Sequence, residues 1–374
     1  MHYVLIGAGS IGRALAKDVL AEDETARFSA FDVHEGALEQ IRALAPGRVQ
    51  AAVVQGSDSA AFAALMKGAD LVVNCTAGAQ CVEILEAAIA RKVPYLDVHG
   101  TLLLKERLAL SDKARRAGIA AMIGVGVSPG LTNMLGAYLA RKQAGKVDVE
   151  CEYATLRSLN PTEGLLETAL RQMRNGVTAA VYEDGQTTYH PPFSGALRTR
   201  FDGLDEEVEL VYTPHSEPLT MPLFVPNVRR VTVRGTYDSR IQALMKSLYE
   251  FGLLNPALTV DVQGQAADFQ PLLRQALMGD GTLKPAGVQA RYVMRVRVTG
   301  EDGASSLTLG HPPGWDALPQ GRMTALPAAY FAQQVARGAV DYAGVCGTEV
   351  ATDSQVEQCL SYLQGRGLWV RAGQ

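Results

Sequence analysis

Tyr3-Val4-Leu5-Ile6-Gly7-Ala8-Gly9-Ser10-Ile11-Gly12, followed by Arg13-Ala14-Leu15-Ala16, opens the chain. An apolar run leads into a G-x-G-x-x-G turn, and an amphipathic stretch leaves it. In a strand–turn–helix of this kind the first glycine permits the tight turn. The second lets backbone N–H groups approach a pyrophosphate, and the third lets the helix pack on the strand. The N–H groups of Ser10, Ile11 and Gly12 then open a helix whose dipole favours negative charge. A second apolar run, Phe28 to Phe31, ends in Asp32, twenty residues after Gly12. With all four parts in order, Gly7, Gly9, Ser10, Ile11 and Gly12 read as the floor of a dinucleotide site.

Asp32 also selects among dinucleotides. A carboxylate there accepts hydrogen bonds from the adenosine ribose hydroxyls and repels a 2′-phosphate. No Arg stands at 33–38, and Glu35 offsets His34. NAD is therefore favoured over NADP, with Asp32 and Val33 at the adenosine end. A solvated loop acid is the plainer alternative for Asp32.

Beyond this turn, apolar strands alternate with helical segments through the first third of the chain. Strands are expected at 49–54, 70–75, 94–97 and 120–125. Helices are expected at 37–44, up to Leu65 with Ser57 or Asp58 as N-cap, 82–91 and 103–117. This alternation predicts an α/β, Rossmann-type doubly wound parallel sheet. Asp58, Asn74, Cys75, Thr76, Ala77 and Ser128 follow strands and are expected along the cofactor. The pattern changes at Gly126-Val127-Ser128-Pro129-Gly130. A helix over 131–141 follows, then strand alternation at 149–156, 177–182, 187–189, 228–233 and 290–298. Glu183-Asp184-Gly185-Gln186 marks a hairpin. Helices at 239–251 and 271–278 complete an inserted, mostly antiparallel α+β domain. Helices near 327–337 and 354–364 return toward the first domain. The expected division is 1–128 plus 328–374 for dinucleotide binding and 129–327 for substrate binding and dimerisation.

Composition narrows the function classes. The net charge of −4 supplies no basic face for nucleic acid or an anionic membrane. No apolar stretch is long enough to span a bilayer, and no signal or transit peptide is read at the N-terminus. Five scattered cysteines form neither a CxxC metal pair nor a disulfide framework, as expected of reduced thiols in a cytoplasmic protein. Six isolated histidines and the absence of HExxH argue against a metal site.

The chain resembles the saccharopine dehydrogenase-like family, particularly its short, single-function members of the lysine 6-dehydrogenase kind. The likeness rests on Gly7 to Gly12, Asp70-Leu71-Val72-Val73-Asn74, Tyr95-Leu96-Asp97, Gly126 to Asn133 and the Glu183-Asp184-Gly185 hairpin. Toward the end it rests on Gly338-Ala339-Val340, Gly344-Val345 and Glu349. It implies a dinucleotide domain built from both chain ends, a central α+β domain holding substrate and a dimer interface, and NAD(P)-dependent chemistry at an amine carbon through an imine. The chain departs from relatives in two places. Their Arg-Tyr-Pro-Gly-His segment is Arg234-Gly235-Thr236-Tyr237-Asp238 here, and their Asp-Leu-Gly-Gly-like stretch is Asp97-Val98-His99-Gly100.

Such chemistry needs positioning and one proton acceptor, since the nicotinamide takes the hydride. The carboxyl ends of the strands carry Asn74 to Gly78, Asp97 to Gly100 and Gly126 to Pro129. Asp97 and His99 are the acid–base candidates, on one side if the strand continues through them. A structural acid and an ordinary loop histidine are the alternatives. Cys75 reads as packing on the nicotinamide ribose rather than as a nucleophile, because no paired base is evident. A substrate carboxylate calls for Arg. Among Arg157, Arg171, Arg174, Arg229, Arg230 and Arg234, the last is expected to bind it, with Gly126 and Asn133 beside the substrate; Asn133 is equally readable as structural. The expected activity is oxidation at the CH–NH group of lysine or a lysine-derived opine-like amino acid by a homodimer or higher homo-oligomer. The alternatives are an imine-reducing saccharopine- or carboxyspermidine-type synthase and a non-catalytic NAD-binding regulator.

Overall fold

The computed structural model describes residues 1–54, 59–76, 78, 80–157, 162–279 and 289–373. Asp58 and Ala77 therefore lie outside the described residues. The chain divides into two compact units. One comprises Met1–Tyr138 with Gly321–Arg366, the other Leu139–Gln320 with the stretch from Gly367.

In the first unit, β1 (His2–Ile6), β2 (Arg27–Asp32), β3 (Val49–Val53), β4 (Leu71–Asn74), β5 (Tyr95–Asp97) and β6 (Ala120–Met122) follow one another with helices between them. The second unit contains β7 (Val147–Leu156), β8 (Ala179–Glu183), β9 (Gln186–His190), β10 (Leu197–Thr199), β11 (Val208–Tyr212) and β12 (Val228–Tyr237). After these come β13 (Thr259–Val262), β14 (Gln265–Asp268), β15 (Arg291–Gly300) and β16 (Gly303–Gly310). The chain then returns to the first unit for β17 (Gly344–Cys346) and ends on β18 (Trp369–Gly373) in the second.

The first sheet has seven parallel strands in the order β17-β6-β5-β4-β1-β2-β3. The order reverses between β1 and β4, which makes the carboxyl ends of these strands the switch point where a ligand belongs in a doubly wound sheet. β4 is buried at every position, because helices cover both faces of a parallel sheet. The returning segment is tied to the first helix, Ser10–Glu22, by charge. Arg322 donates to Asp18 at 2.8 Å, and Arg366 donates to Glu22 at 2.5 Å.

The second unit is built on a larger sheet, β10-β11-β12-β7-β15-β16-β18, with β8 on β12 and β9 on β8. Only the β7–β12 pair among its described pairings is parallel. Asp184 and Gly185 turn the β8–β9 hairpin with φ of 47° and 85°, as a two-residue turn matched to strand twist requires.

Several elements differ from the sequence reading. The C-terminus was expected in the dinucleotide domain through 374, yet β18 pairs with β16 of the second sheet. The segment 103–117 is two helices, Leu104–Ala109 and Ser111–Ala117. The helix expected from 327 begins at Pro319 and runs through Pro327, its earlier turns held by buried Met323, Ala325 and Leu326.

Candidate active site at the carboxyl edge of the parallel sheet

The glycine turn is closed on two sides and open on the third. A Cβ on Gly7, whose φ is 98°, would overlap the Cys75–Thr76 backbone, and one on Gly12 would overlap the Gly7 carbonyl. A Cβ on Gly9 meets nothing within 4 Å. The helix that starts at Ser10 has Gly9 as its N-cap and no side-chain cap. Its first N–H groups thus border the space beside Gly9, the cradle a pyrophosphate needs. Asp32 holds this turn as well as facing it. Its Oδ2 accepts from Ala8 N at 2.7 Å and its Oδ1 from His34 N at 2.9 Å. Each oxygen keeps acceptor capacity for a ribose hydroxyl. Val33 beside it is exposed. Arg13, which the sequence reading passed over, donates to Ala8 O at 2.6 Å.

At the ends of β4, β5 and β6 lies a continuous buried polar network. Thr76 Oγ1 donates to Asn74 Oδ1 at 2.8 Å, Asn74 Nδ2 to Tyr95 Oη at 3.0 Å, and Tyr95 Oη to Asp97 Oδ2 at 3.0 Å. Asp97 Oδ1 accepts from His99 N at 3.0 Å and Gly124 N at 2.9 Å. Arg107 Nη1 bridges both Asp97 oxygens at 3.0 Å, and neither side chain of this ion pair has any solvent exposure. The same guanidinium donates to the carbonyls of His99, Gly100 and Leu102 at 3.2, 2.5 and 3.1 Å. One arginine thus fixes the loop 97–102 from inside.

The oxygens of Asp97 accept from Tyr95, two backbone N–H groups and Arg107, a geometry that fits the structural alternative stated for this acid and ties it to the loop that carries His99. Arg107 was missed, although an arginine on the apolar side of a short Leu-rich helix was the available signal. Cys75 does not become a thiolate here: burial, helped by the charge of Asp97, pushes its thiol up to about 12.

Gly126, Ser128 and Asn133 meet in the turn leading to the helix Leu131–Arg141. The Ser128–Pro129 peptide is cis. The Pro129 ring packs 3.3 Å from where a Cβ on Gly100 or Gly124 would stand, joining this turn to the 97–102 loop. Asn133 accepts from Gly130 N at 2.9 Å and donates to buried Glu349 at 2.7 Å, while Thr348 donates to Gly130 O at 2.5 Å. These bonds fit the structural one of the two readings of Asn133, as a fastener of the turn. Glu349 and Thr348 arrive from the far end of the chain.

Arg234 lies in the second unit, on β12. It is 9% exposed, and it donates to Gly195 O at 3.0 Å, Thr232 Oγ1 at 3.2 Å and Tyr212 Oη at 3.0 Å. With its donors engaged this way, it does not offer the open bidentate fork that was expected of it.

Among the described residues, no group of three or more His, Cys, Asp or Glu side chains is arranged to hold a metal. No helix among them is long and apolar enough to cross a membrane.

Comparison with known proteins agrees with this geometry. Residues 3–122 match the family model of the saccharopine dehydrogenase NADP binding domain. Saccharopine dehydrogenase (L-Glu forming) from Saccharomyces cerevisiae is similar in fold, with a TM-score of 0.68 at 15% identity over 100% of both chains. Homospermidine synthase from Legionella pneumophila, solved with NAD, has a TM-score of 0.66 at 12% identity over 99% of this chain and 91% of its own.

Proposed function

Because this chain is saccharopine dehydrogenase-like, by sequence in its dinucleotide-binding domain and by fold over its length, we propose that it is an NAD-preferring oxidoreductase acting on the CH–NH or CH–NH2 group of an amino acid. Lysine or a lysine-derived opine-like compound is the favoured substrate. The single observation that carries the reading is the glycine turn: closed at Gly7 and Gly12, open at Gly9, and held by Asp32. A bound nicotinamide would supply the hydride acceptor. Gly9, Ser10 and Ile11 would hold the pyrophosphate, and Asp32 with Val33 the adenosine.

The protein's own part is positional. Asp97 and Arg107 hold the loop 97–102, and His99 on that loop takes the proton from the substrate's ammonium or the attacking water. Histidine suits this task because its ordinary pKa lies near neutrality. Asn74, Thr76 and Tyr95 support the loop through the buried network. Imine reduction in the synthetic direction uses the same groups.

The test is absorbance at the NADH band with NAD and L-lysine, saccharopine or a polyamine panel, beside direct measurement of NAD binding. A rise with an amino acid supports the reading. NAD binding without any change, in either direction of assay, leaves a non-catalytic NAD-binding protein. Asp32→Asn is expected to relax discrimination against NADP, and an unchanged preference would refute the ribose role.

A further inference from the structure

The strand edges of this protein are finished in different ways. An edge strand exposes a row of N–H and C=O groups, and proteins blunt such rows with charge, brevity or a covering group. β17 has three buried residues, and its Val345 N–H donates to Ser111 Oγ at 3.1 Å. At the opposite edge of the same sheet, Arg42 Nη2 donates to Ala51 O of β3 at 2.9 Å. In the second unit β10 has three residues and carries Arg198, and β18 carries Arg371. β13 and β14 carry Asp261 and Asp268. β9 has none of these devices. Its residues, Gln186-Thr187-Thr188-Tyr189-His190, include no Asp, Glu, Lys or Arg. The first four are exposed, Tyr189 by 61%. Thr and Tyr are residues that favour a paired strand.

The register shows which backbone groups of β9 are free. Just past β8, Asp184 N donates to Arg229 O of β12 at 2.9 Å. Even-numbered positions of that strand therefore turn their backbone to β12, and odd-numbered ones turn it to β9. The bonded pairs of the hairpin are then Ala179 with His190, Val181 with Thr188 and Glu183 with Gln186. This leaves the N–H and C=O of Thr187 and Tyr189 pointing away from the sheet. No described group outside the hairpin bonds to them. Pro191 and Pro192 end the row, having no N–H to offer.

We propose that two copies of this chain pair edge to edge through β9, antiparallel, about a two-fold axis at Thr188, and so join their second sheets into one. In this register Thr187 faces the partner's Tyr189. Both present outward N–H and C=O groups, so a fully bonded pair forms on each side of the axis. Moving the axis to Thr187 or Tyr189 brings only one such pair together within the strand. Thr188 faces the partner's Thr188 as a non-bonded pair, the closer kind, where threonines pack and bond favourably. Charge agrees with the antiparallel sense. The acids of the turn, Glu183 and Asp184, lie toward the partner's His190, whereas a parallel arrangement would set acid beside acid. A two-fold pairing uses up both edges and closes at two copies, so the strand does not propagate a fibre. The pairing involves the second unit alone and is independent of the oxidoreductase reading.

Sedimentation velocity of the full-length protein at micromolar concentration tests this. The wild type sediments as a dimer. Thr188→Lys and Thr188→Glu each sediment as monomers, because like charges then meet at the axis, and an equal mixture of the two returns to dimers. Only the residue on the axis faces its own substitution, so this rescue reports the register as well as the surface. Thr187→Pro removes an outward N–H and leaves the β8 ladder intact. Its dimer dissociates at least about tenfold more readily, at an unchanged circular dichroism spectrum. Thr188→Cys forms an intermolecular disulfide on mild oxidation, since Cα atoms of a non-bonded antiparallel pair stand about 4.5 Å apart, within disulfide reach. A monomeric wild type overturns the proposal and leaves the edge to a strand of another protein. Dimers that persist in Thr188→Lys, a mixture of the Lys and Glu variants that stays monomeric, or a dimeric Thr188→Cys protein that does not cross-link would each overturn it too.

Discussion

Two buried polar clusters, one in each unit, are built in opposite ways. Around Asp97 every contact is short and most donors are backbone or Arg107, so charge is matched within the protein. Around Tyr153 and Tyr237 the groups are rings, an amide and a histidine, joined by stacking and by bonds as long as 3.3 Å, next to a cleft. A cluster whose lone pairs and protons are all committed is a brace, because any change strands a buried charge. A cluster joined by ring stacking and long hydrogen bonds, with its buried charges at Arg157 and Glu217 set behind the rings, can re-pair at smaller cost. The first cluster therefore reads as a brace for the loop 97–102, and the second as a looser set of contacts within the second unit.

The largest effect expected from this contrast is at the brace. Arg107→Met leaves Asp97 as an uncompensated buried charge and should cost about 3–5 kcal/mol of unfolding free energy in a denaturant titration. Asp97→Asn should destabilise as well. If it instead keeps the wild-type midpoint while abolishing turnover, Asp97 belongs to the chemistry and the contrast breaks. The glycine turn gives a second, smaller pair. Gly12→Ala must push against the Gly7 carbonyl and should lose about 1–3 kcal/mol. Gly9→Val has room, so it should melt like the wild type yet bind NAD at least about tenfold more weakly.

The smallest effect is in pH dependence and belongs to the second cluster. Burial pushes the His215 imidazole below its ordinary 6.5, with Glu217 opposing. Burial lowers His311 as well, opposed by its bond to the Pro312 carbonyl. A histidine depressed in the native state binds fewer protons there than when unfolded. Its contribution is then fully present above about pH 6.5 and is lost as pH falls from the unfolded value through the native one, by up to about 1.4 kcal/mol per pH unit for each group. Melting temperature recorded from pH 8 to 5 should fall on the acid side, and His215→Gln should flatten part of that slope. An unchanged slope in His215→Gln would place the titration elsewhere.

The parallel sheet was legible because its signals are local: an apolar run, a glycine turn and an acid at fixed spacing each report on their own neighbours. The helix Leu131–Arg141 and the Asp184-Gly185 hairpin were readable for the same reason. β16 and β18 were missed because an edge pairing between residues 306–310 and 369–373 leaves no local trace. Asp97 was legible as an important acid, but its tie to Arg107 was not, since the two stand ten residues apart on different elements and the arginine's place on the apolar side of its short helix was passed over. Arg234 was chosen for a strand-end position and for its match to the arginine of the relatives' Arg-Tyr-Pro-Gly-His segment, and it lies inside β12. Its engagement with Gly195 and Tyr212 depends on contacts 39 and 22 residues away, which spacing alone does not reveal.

The central claim is that hydride leaves a C–N carbon of an amino acid for a nicotinamide held by the glycine turn. Incubation with NAD and fully deuterated L-lysine or saccharopine, followed by mass spectrometry of the reduced cofactor, tests it directly. The account predicts NADH heavier by one deuterium, formed by the wild type and strongly reduced in His99→Gln. Unlabelled or absent NADH from a protein that demonstrably binds NAD and these amino acids would contradict it.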